Sequence, residues 1–307
     1  MSIKSLQGDI MYHLPHLQDD NCTLGFIILY IYFSTILIDR LPNDVQTDTG
    51  MSGRSVMKSL FKDMPLEKRV AEIASCGYGY VETWGGGDET FLKTISTAGK
   101  ENGISLVSIV MNFATEDGVS PVVKENLEAF LERIDRYSDN ALAAGCKSGI
   151  VTSGNLVKGL SPEEHGANLA AAMRKAGEIA GRKGFTLNLE PLNTIVDHAG
   201  YYLDSRESAV SIVKEVNLPA VRMLYDIYHM EIMSGNQVDF ITRNIDCIGH
   251  FHSAGVPGRH ELFSGETNYP YVLGKIEEAG YNGYFGLEYF PLLESRISLK
   301  KTFDYLN

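Results

Sequence analysis

The chain has 307 residues, is 44% hydrophobic and 21% charged, and carries a net charge of −12. That length allows one large domain or two ordinary ones, and the composition suits a globular protein with a large core. The negative balance speaks against a protein that grips nucleic acid through its phosphates, which needs a basic surface.

Residues 22–38 (CTLGFIILYIYFSTILI) form an uncharged run of 17. A bilayer span takes roughly 20 apolar residues, with a lower limit near 17. The leader before the run holds Lys4 against Asp9, Asp19 and Asp20, and no small-residue cleavage site follows it, so a secretory signal is not expected. Membrane contact through 22–38 is the less favoured reading; the run could equally dock as a strand or a short helix. The polar stretch 43–50 (NDVQTDTG) reads as a linker. The expected organisation is an N-terminal extension over 1–50 and a catalytic domain over 51–307. Cys22, Cys76, Cys146 and Cys247 are scattered without a CxxC pair, the usage of reduced thiols in a cytoplasmic protein.

From residue 54 short apolar segments alternate with amphipathic ones. Strands are predicted at 54–60, 79–84, 104–110, 148–153, 185–190, 221–226, 246–252 and 284–288. The clearest helix lies at 162–183, where Leu169, Ala172, Met173, Ala176 and Ile179 recur at three- and four-residue steps. It opens with Ser161 as N-cap, Pro162 at the first helical position and two acids behind it. The pairs Asn102-Gly103 and Gly280-Tyr281 come where helices end and strands begin. Eight strands with intervening helices give α/β architecture of the (β/α)8 TIM-barrel kind. No GxGxxG follows the first strand, and the lone glycine run at 85–87 is weak support for a nucleotide site.

Barrels of this kind work at the carboxyl ends of their strands. Four consecutive predicted strands end in Glu190, Asp226, His252 and Glu288, spaced by 36, 26 and 36 residues. Each step is one strand–helix unit, and adjacent strands lie about 4.8 Å apart, so the four ends can converge on one ion. Alternation along the strands puts Asn188 and Glu190 on the face opposite Leu187 and Leu189, and His250 with His252 opposite Phe251. Two Glu, one Asp and one His suit Mn2+, Mg2+ or Co2+, with zinc a further option. A single acid at a strand end is more often a cap or an ion pair; four in register point to a site. Nearby, His229 follows Asp226 by three residues, and the loop 254–270 brings Arg259, His260, Glu261 and Glu266. Arg259 could fork onto a substrate carboxylate or phosphate. His198 is a weaker candidate. Glu82 and Trp84 are placed as the opposite wall of the pocket.

The runs EPLNTIVDHAGYYLDS, LYDIYHMEIMSGN, IGHFHSAGVPGRHELFSGETNYP and YNGYFGLEYFP resemble hydroxypyruvate isomerases, within the xylose-isomerase-like barrels that also include ketose 3-epimerases and endonuclease IV. The resemblance covers roughly residues 55–292. It implies catalytic acid–base roles for Glu190 and Glu288, a divalent metal held by these two with Asp226 and His252, and substrate contacts from His229 and Arg259. The implied reaction interconverts hydroxypyruvate and 2-hydroxy-3-oxopropanoate through an enediolate, an EC 5.3.1 type of isomerisation in glyoxylate and carbohydrate metabolism. A ketose 3-epimerase acting on a sugar is the alternative; a nuclease or a non-catalytic sugar-binding barrel fits less well. The partner expected is a small hydroxy-keto acid or sugar, not nucleic acid, and the expected state is a homo-oligomer. The first fifty residues, the abbreviated first strand and the short C-terminus depart from the resemblance.

Overall fold

The structure, a computed structural model, describes residues 34–38, 53–57, 60–113 and 119–307. Nine strands are described: β1 (Ser34–Ile38), β2 (Gly53–Met57), β3 (Tyr78–Thr83), β4 (Ser105–Val110), β5 (Ser148–Thr152), β6 (Thr186–Glu190), β7 (Val221–Asp226), β8 (Ile248–Ser253) and β9 (Tyr284–Glu288). The α-helices are α1 (Leu66–Ser75), α2 (Glu89–Asn102), α3 (Leu127–Ala143), α4 (Pro162–Arg182), α5 (Arg206–Val216), α6 (Ile227–Met233), α7 (Gln237–Arg243), α8 (Tyr269–Glu278) and α9 (Ser295–Leu306).

The strands form one sheet in the order β1-β3-β4-β5-β6-β7-β8-β9-β2. Strands β2 to β9 run parallel along their ladders, as a (β/α)8 barrel requires, with β2 paired to β9. The neighbour of β3 is β1, which pairs with it antiparallel, Ser34 opposite Thr83. This strand is the tail of the apolar run 22–38. The rest of that run, the leader and the linker at 43–50 lie outside the described residues. No helix among the described residues is long and apolar enough to cross a membrane.

The sequence explains the elements. Ser161 accepts from the Glu164 N–H while Glu164 reaches back to the Ser161 N–H, so a capping box opens α4. Its Leu169, Ala172, Met173 and Ala176 are buried, as the periodicity predicted. Helix α2 ends on Gly103 in the left-handed region, φ 71°. The main core fills the space between strands and helices, with Leu187 and Leu189 of β6 fully buried in it. A smaller cluster of Val110, Ile150 and Leu224, flanked by Trp84 and Phe113, is separate from it. Ile150 faces Val110 and Asn188 across its two ladders and Leu224 faces His250 across another, so these three lie on the sheet's inner face. One strand–helix unit differs from the expected rhythm: β7 is followed by two short helices, α6 and α7, of seven residues each.

Three cysteines, Cys76, Cys146 and Cys247, are free and buried. Burial pushes the Cys146 thiol up to about 12, which makes it inert as a nucleophile at neutral pH.

Candidate active site

Strands β6, β7 and β9 end on Glu190, Asp226 and Glu288, and His252 is the penultimate residue of β8. Parallel register brings Asp226 opposite His252, and His252 opposite Gly286. One ligand atom from each of the four side chains lies within 4.8 Å of the other three, and all four residues are buried. The leucines on the outer face of β6 seat its inner residues here: Leu187 and Leu189 go to the helices, and Glu190 is left pointing the other way.

A bulge in β8 sets the histidines. The ladder with β7 shifts register between Met223 and Leu224, so Ile248 and His250 face neighbouring residues of β7 and Gly249 is the extra residue. Only glycine fits there: a Cβ at 249 would lie 2.3 Å from Asn188 Oδ1 and 2.6 Å from Arg222 Cβ.

Asp226 Oδ1 accepts from the Tyr228 N–H and caps α6 at 2.9 Å. Its Oδ2 faces the site, buried and without a hydrogen-bond partner, 3.4 Å from His229 Nε2 and 3.6 Å from Arg259 Nη2. His229 is oriented by Asn193, whose backbone N–H donates to Nδ1 at 3.2 Å and whose amide lies 2.6 Å from the same atom. A ring nitrogen that accepts leaves the other to carry the hydrogen, so Nε2 is the N–H of His229 that faces the site.

Arg259 comes from the loop after β8, with its backbone in the left-handed region at φ 59°. A non-glycine residue held there costs about 1–3 kcal/mol, the kind of strain found where a side chain must be aimed. The aim is into the carboxylates: Nη2 donates to Glu288 Oε2 at 2.6 Å, and Nε donates to the Glu288 carbonyl at 3.4 Å. The guanidinium lies 5.1 Å from the centre of the Tyr228 ring.

Three carboxylates in one buried site repel, and burial disfavours their charge. Both effects push Glu190 up to about 8, burial first and Glu288 second. Burial also raises Asp226, to about 6, against the pull of Arg259. His252 is raised well above the usual imidazole range: burial opposes its charge, but Glu82 and Glu288 outweigh burial. A divalent cation fits this set. The donors are three carboxylate oxygens and an imidazole, and a buried carboxylate oxygen on Asp226 lacks a hydrogen-bond partner.

The other expected residues fall in different places. Glu82, on β3 across the barrel from β8, is completely buried, with Oε2 3.0 Å from His252 Nε2 and Oε1 2.8 Å from His250 Nε2. Trp84 is half-buried and packs against Phe113, with ring centres 5.7 Å apart. Glu261 accepts from the N–H groups of Leu292 and Leu293 and from Ser298 Oγ, so it ties the loop to the start of α9. His260 Nδ1 lies 2.9 Å from the Phe290 carbonyl, and Glu266 is exposed. His198 lies 5.4 Å from His229 between ring centres. The sequence placed His250 on one face with His252 but gave it no role, and Asn193 was not singled out. The H-x-H spacing carried a signal for His250; for Asn193 the only hint was its place in the loop after Glu190.

The chain is similar to several known proteins. The family model described as xylose isomerase-like TIM barrel matches residues 70–302. A human protein provisionally named hydroxypyruvate isomerase is 31% identical over 237 residues, 74% of this chain and 84% of that one. A 2-oxo-tetronate isomerase from Cupriavidus necator is 40% identical over 116 residues, 38% of this chain and 44% of that one. A crystal structure of a family 2 AP endonuclease from Brucella melitensis superposes with a TM-score of 0.74 at 28% identity, covering 81% of this chain and 97% of that one. A (β/α)8 sheet with four acid and histidine side chains at successive strand ends, and relatives of this kind along most of its length, make the chain an isomerase of the xylose isomerase-like TIM barrel family, in its hydroxypyruvate isomerase group.

Proposed function

We propose that the chain interconverts hydroxypyruvate and 2-hydroxy-3-oxopropanoate at the cluster of Glu190, Asp226, His252 and Glu288. The observation that carries this is the convergence of those four donors, within 4.8 Å, beside a buried arginine. The substrate is a three-carbon acid whose C3 hydrogen is weakly acidic. Its removal needs a placed base and a means of holding the enediolate charge.

One glutamate of the pair Glu190 and Glu288 takes the proton from C3, and the same or the facing glutamate delivers a proton to C2. The C3–H bond breaks, a C2–H bond forms, and the hydroxyl hydrogen passes from O3 to O2; nothing is oxidised overall. Glu190, Asp226, His252 and Glu288 would hold a divalent ion, of which Mn2+, Mg2+ and Co2+ suit the donors best. When bound, that ion offsets the negative charge growing on the substrate oxygens. Arg259 has five N–H groups, and its bonds to Glu288 use two, so the guanidinium can also take the substrate carboxylate. His229, with Nε2–H turned inward, is placed to donate to a substrate oxygen. Burial of the whole set keeps water from competing for these bonds. The relatives support an oxo acid: one is named for hydroxypyruvate and another for 2-oxo-tetronate, both 2-oxo acids.

The test is proton exchange followed by NMR in D2O. With hydroxypyruvate and Mn2+, deuterium should enter at the exchanging carbons and the isomer should accumulate. Glu190→Gln and Glu288→Gln should each lose roughly 100- to 10,000-fold in rate, the usual contribution of a positioned acid or base. Near wild-type turnover in both variants would sink the assignment, and exchange confined to neutral ketoses would hand the site to the epimerase reading.

A further inference from the structure

Beneath the ligand cluster lies a second group of titratable side chains, Glu82, His250 and His252, all completely or almost completely buried. Glu82 comes from β3, while both histidines come from β8; neither ladder of β3 is with β8, so the three meet inside the barrel. The surrounding inner face is apolar where it can be, with Ile150 and Leu224. A carboxylate between two imidazoles is a costly filling for such a place, because three apolar side chains of similar volume would stabilise the fold as well or better.

The contacts say what the carboxylate does. An ionised carboxylate only accepts hydrogen bonds, and each oxygen of Glu82 faces an imidazole nitrogen. His252 Nε2 at 3.0 Å must therefore carry its hydrogen toward Glu82. The nitrogen on the other side of the ring, Nδ1, is the one that faces Glu288 Oε2 at 3.1 Å and Glu190 Oε1 at 4.0 Å. When the ring is neutral, Nδ1 is the atom with the free lone pair, and it points into the ligand cluster. His250 Nε2 lies 2.8 Å from the other oxygen of Glu82, a close charge contact that is not aligned as a hydrogen bond.

We propose that Glu82 is a positioning residue for the metal site: it fixes the ring orientation and the tautomer of His252 so that Nδ1 is the ligating atom. This rests on the reading that Glu190, Asp226, His252 and Glu288 hold a divalent ion. The partner of a ligating histidine typically contributes about 10- to 100-fold in metal affinity.

The experiment titrates Mn2+ into the full chain, with free Mn2+ read by electron paramagnetic resonance, for the wild type and for Glu82→Gln and His250→Asn. The expected result is tight wild-type binding, Glu82→Gln weaker by about 10- to 100-fold, and His250→Asn weakened less. Equal affinities in wild type and Glu82→Gln overturn the proposal and leave the ion site standing. A wild type that binds neither Mn2+ nor Mg2+ overturns the ion site, and the proposal with it. A second readout reports the tautomer directly: long-range 15N spectra of the Mg2+-loaded wild type, with His252 among the chain's 8 histidines identified by the loss of its signal in His252→Gln. A hydrogen on His252 Nε2 supports the proposal; a hydrogen on Nδ1 overturns it.

Discussion

Asp226 divides its two oxygens between the fold and the site. Oδ1 caps α6 through the Tyr228 N–H, and Oδ2 faces the ligand cluster without a hydrogen-bond partner. The two roles separate by substitution. Asp226→Asn keeps an oxygen for the cap and should fold nearly as well as wild type, while its Mn2+ affinity drops sharply. Asp226→Ala loses the cap as well, with a further cost of about 1 kcal/mol. Urea melts and Mn2+ titrations of both variants check this; equal stability in the two would show that the cap contributes nothing. Residues of this kind were legible from the sequence because a charge ending an apolar strand is expensive and needs a reason. Glu190 after Leu187 and Leu189 is the clearest case. Glu82 lies one residue from the end of β3, yet its partners sit across the barrel on β8, and no local pattern names a partner so distant in sequence.

At the scale of elements, the bulge at Gly249 is what aims His250 and His252. Gly249→Ala forces a Cβ into the Asn188 side chain and the Arg222 stem. The expected outcome is a loss of about 1–3 kcal/mol in stability, as for overpacking generally, together with weaker Mn2+ binding, because the proposed ligand His252 stands three residues on. Unchanged melting and unchanged binding would place the bulge elsewhere. The strands and the long helix α4 were readable because their periods are strong and Ser161, Pro162 and Glu164 mark the start. The bulge was not: a single glycine in a strand announces a close approach but not what approaches. The split of the segment after β7 into α6 and α7 was also unreadable, since Gly235 and Asn236, both at positive φ, break a stretch that otherwise reads as helix.

At the scale of the whole molecule, stability should respond to pH and metal together. A carboxyl whose folded pKa is raised binds more protons in the native chain than in the unfolded one. Its contribution is full at low pH and is lost as pH rises toward the folded value. Glu190, held up to about 8, and Asp226, held up to about 6, both act this way in the metal-free protein, and His252, also raised, adds to the same trend. Metal-free protein should therefore lose stability between pH 5 and pH 8 through these groups. A cation that displaces their protons binds better as pH rises, so the gain in Tm on adding Mn2+ should grow from pH 6 to pH 8. Thermal melts after EDTA treatment, with and without Mn2+ at each pH, measure it; a gain that shrinks with pH contradicts the assignment of these groups as ligands. The barrel itself was legible from the count of strand and helix segments, because each unit carries its own apolar period. How the ring ends meet was not, because five-residue strands leave the choice of neighbour to the rest of the fold.

That meeting has a consequence. The backbone groups of β3 are taken by β1, an antiparallel strand from before Met51, although β2 already supplies the eighth parallel strand on the other side. Two segments are thus rivals for one sheet edge, and the chain carries a spare. A chain begun at Met51 should still close, with β2 annealing onto β3, and amide hydrogen exchange at Tyr80 and Glu82 should stay slow. Fast exchange there, or self-association through the bared edge, would mean that the ring cannot be completed without its antiparallel member.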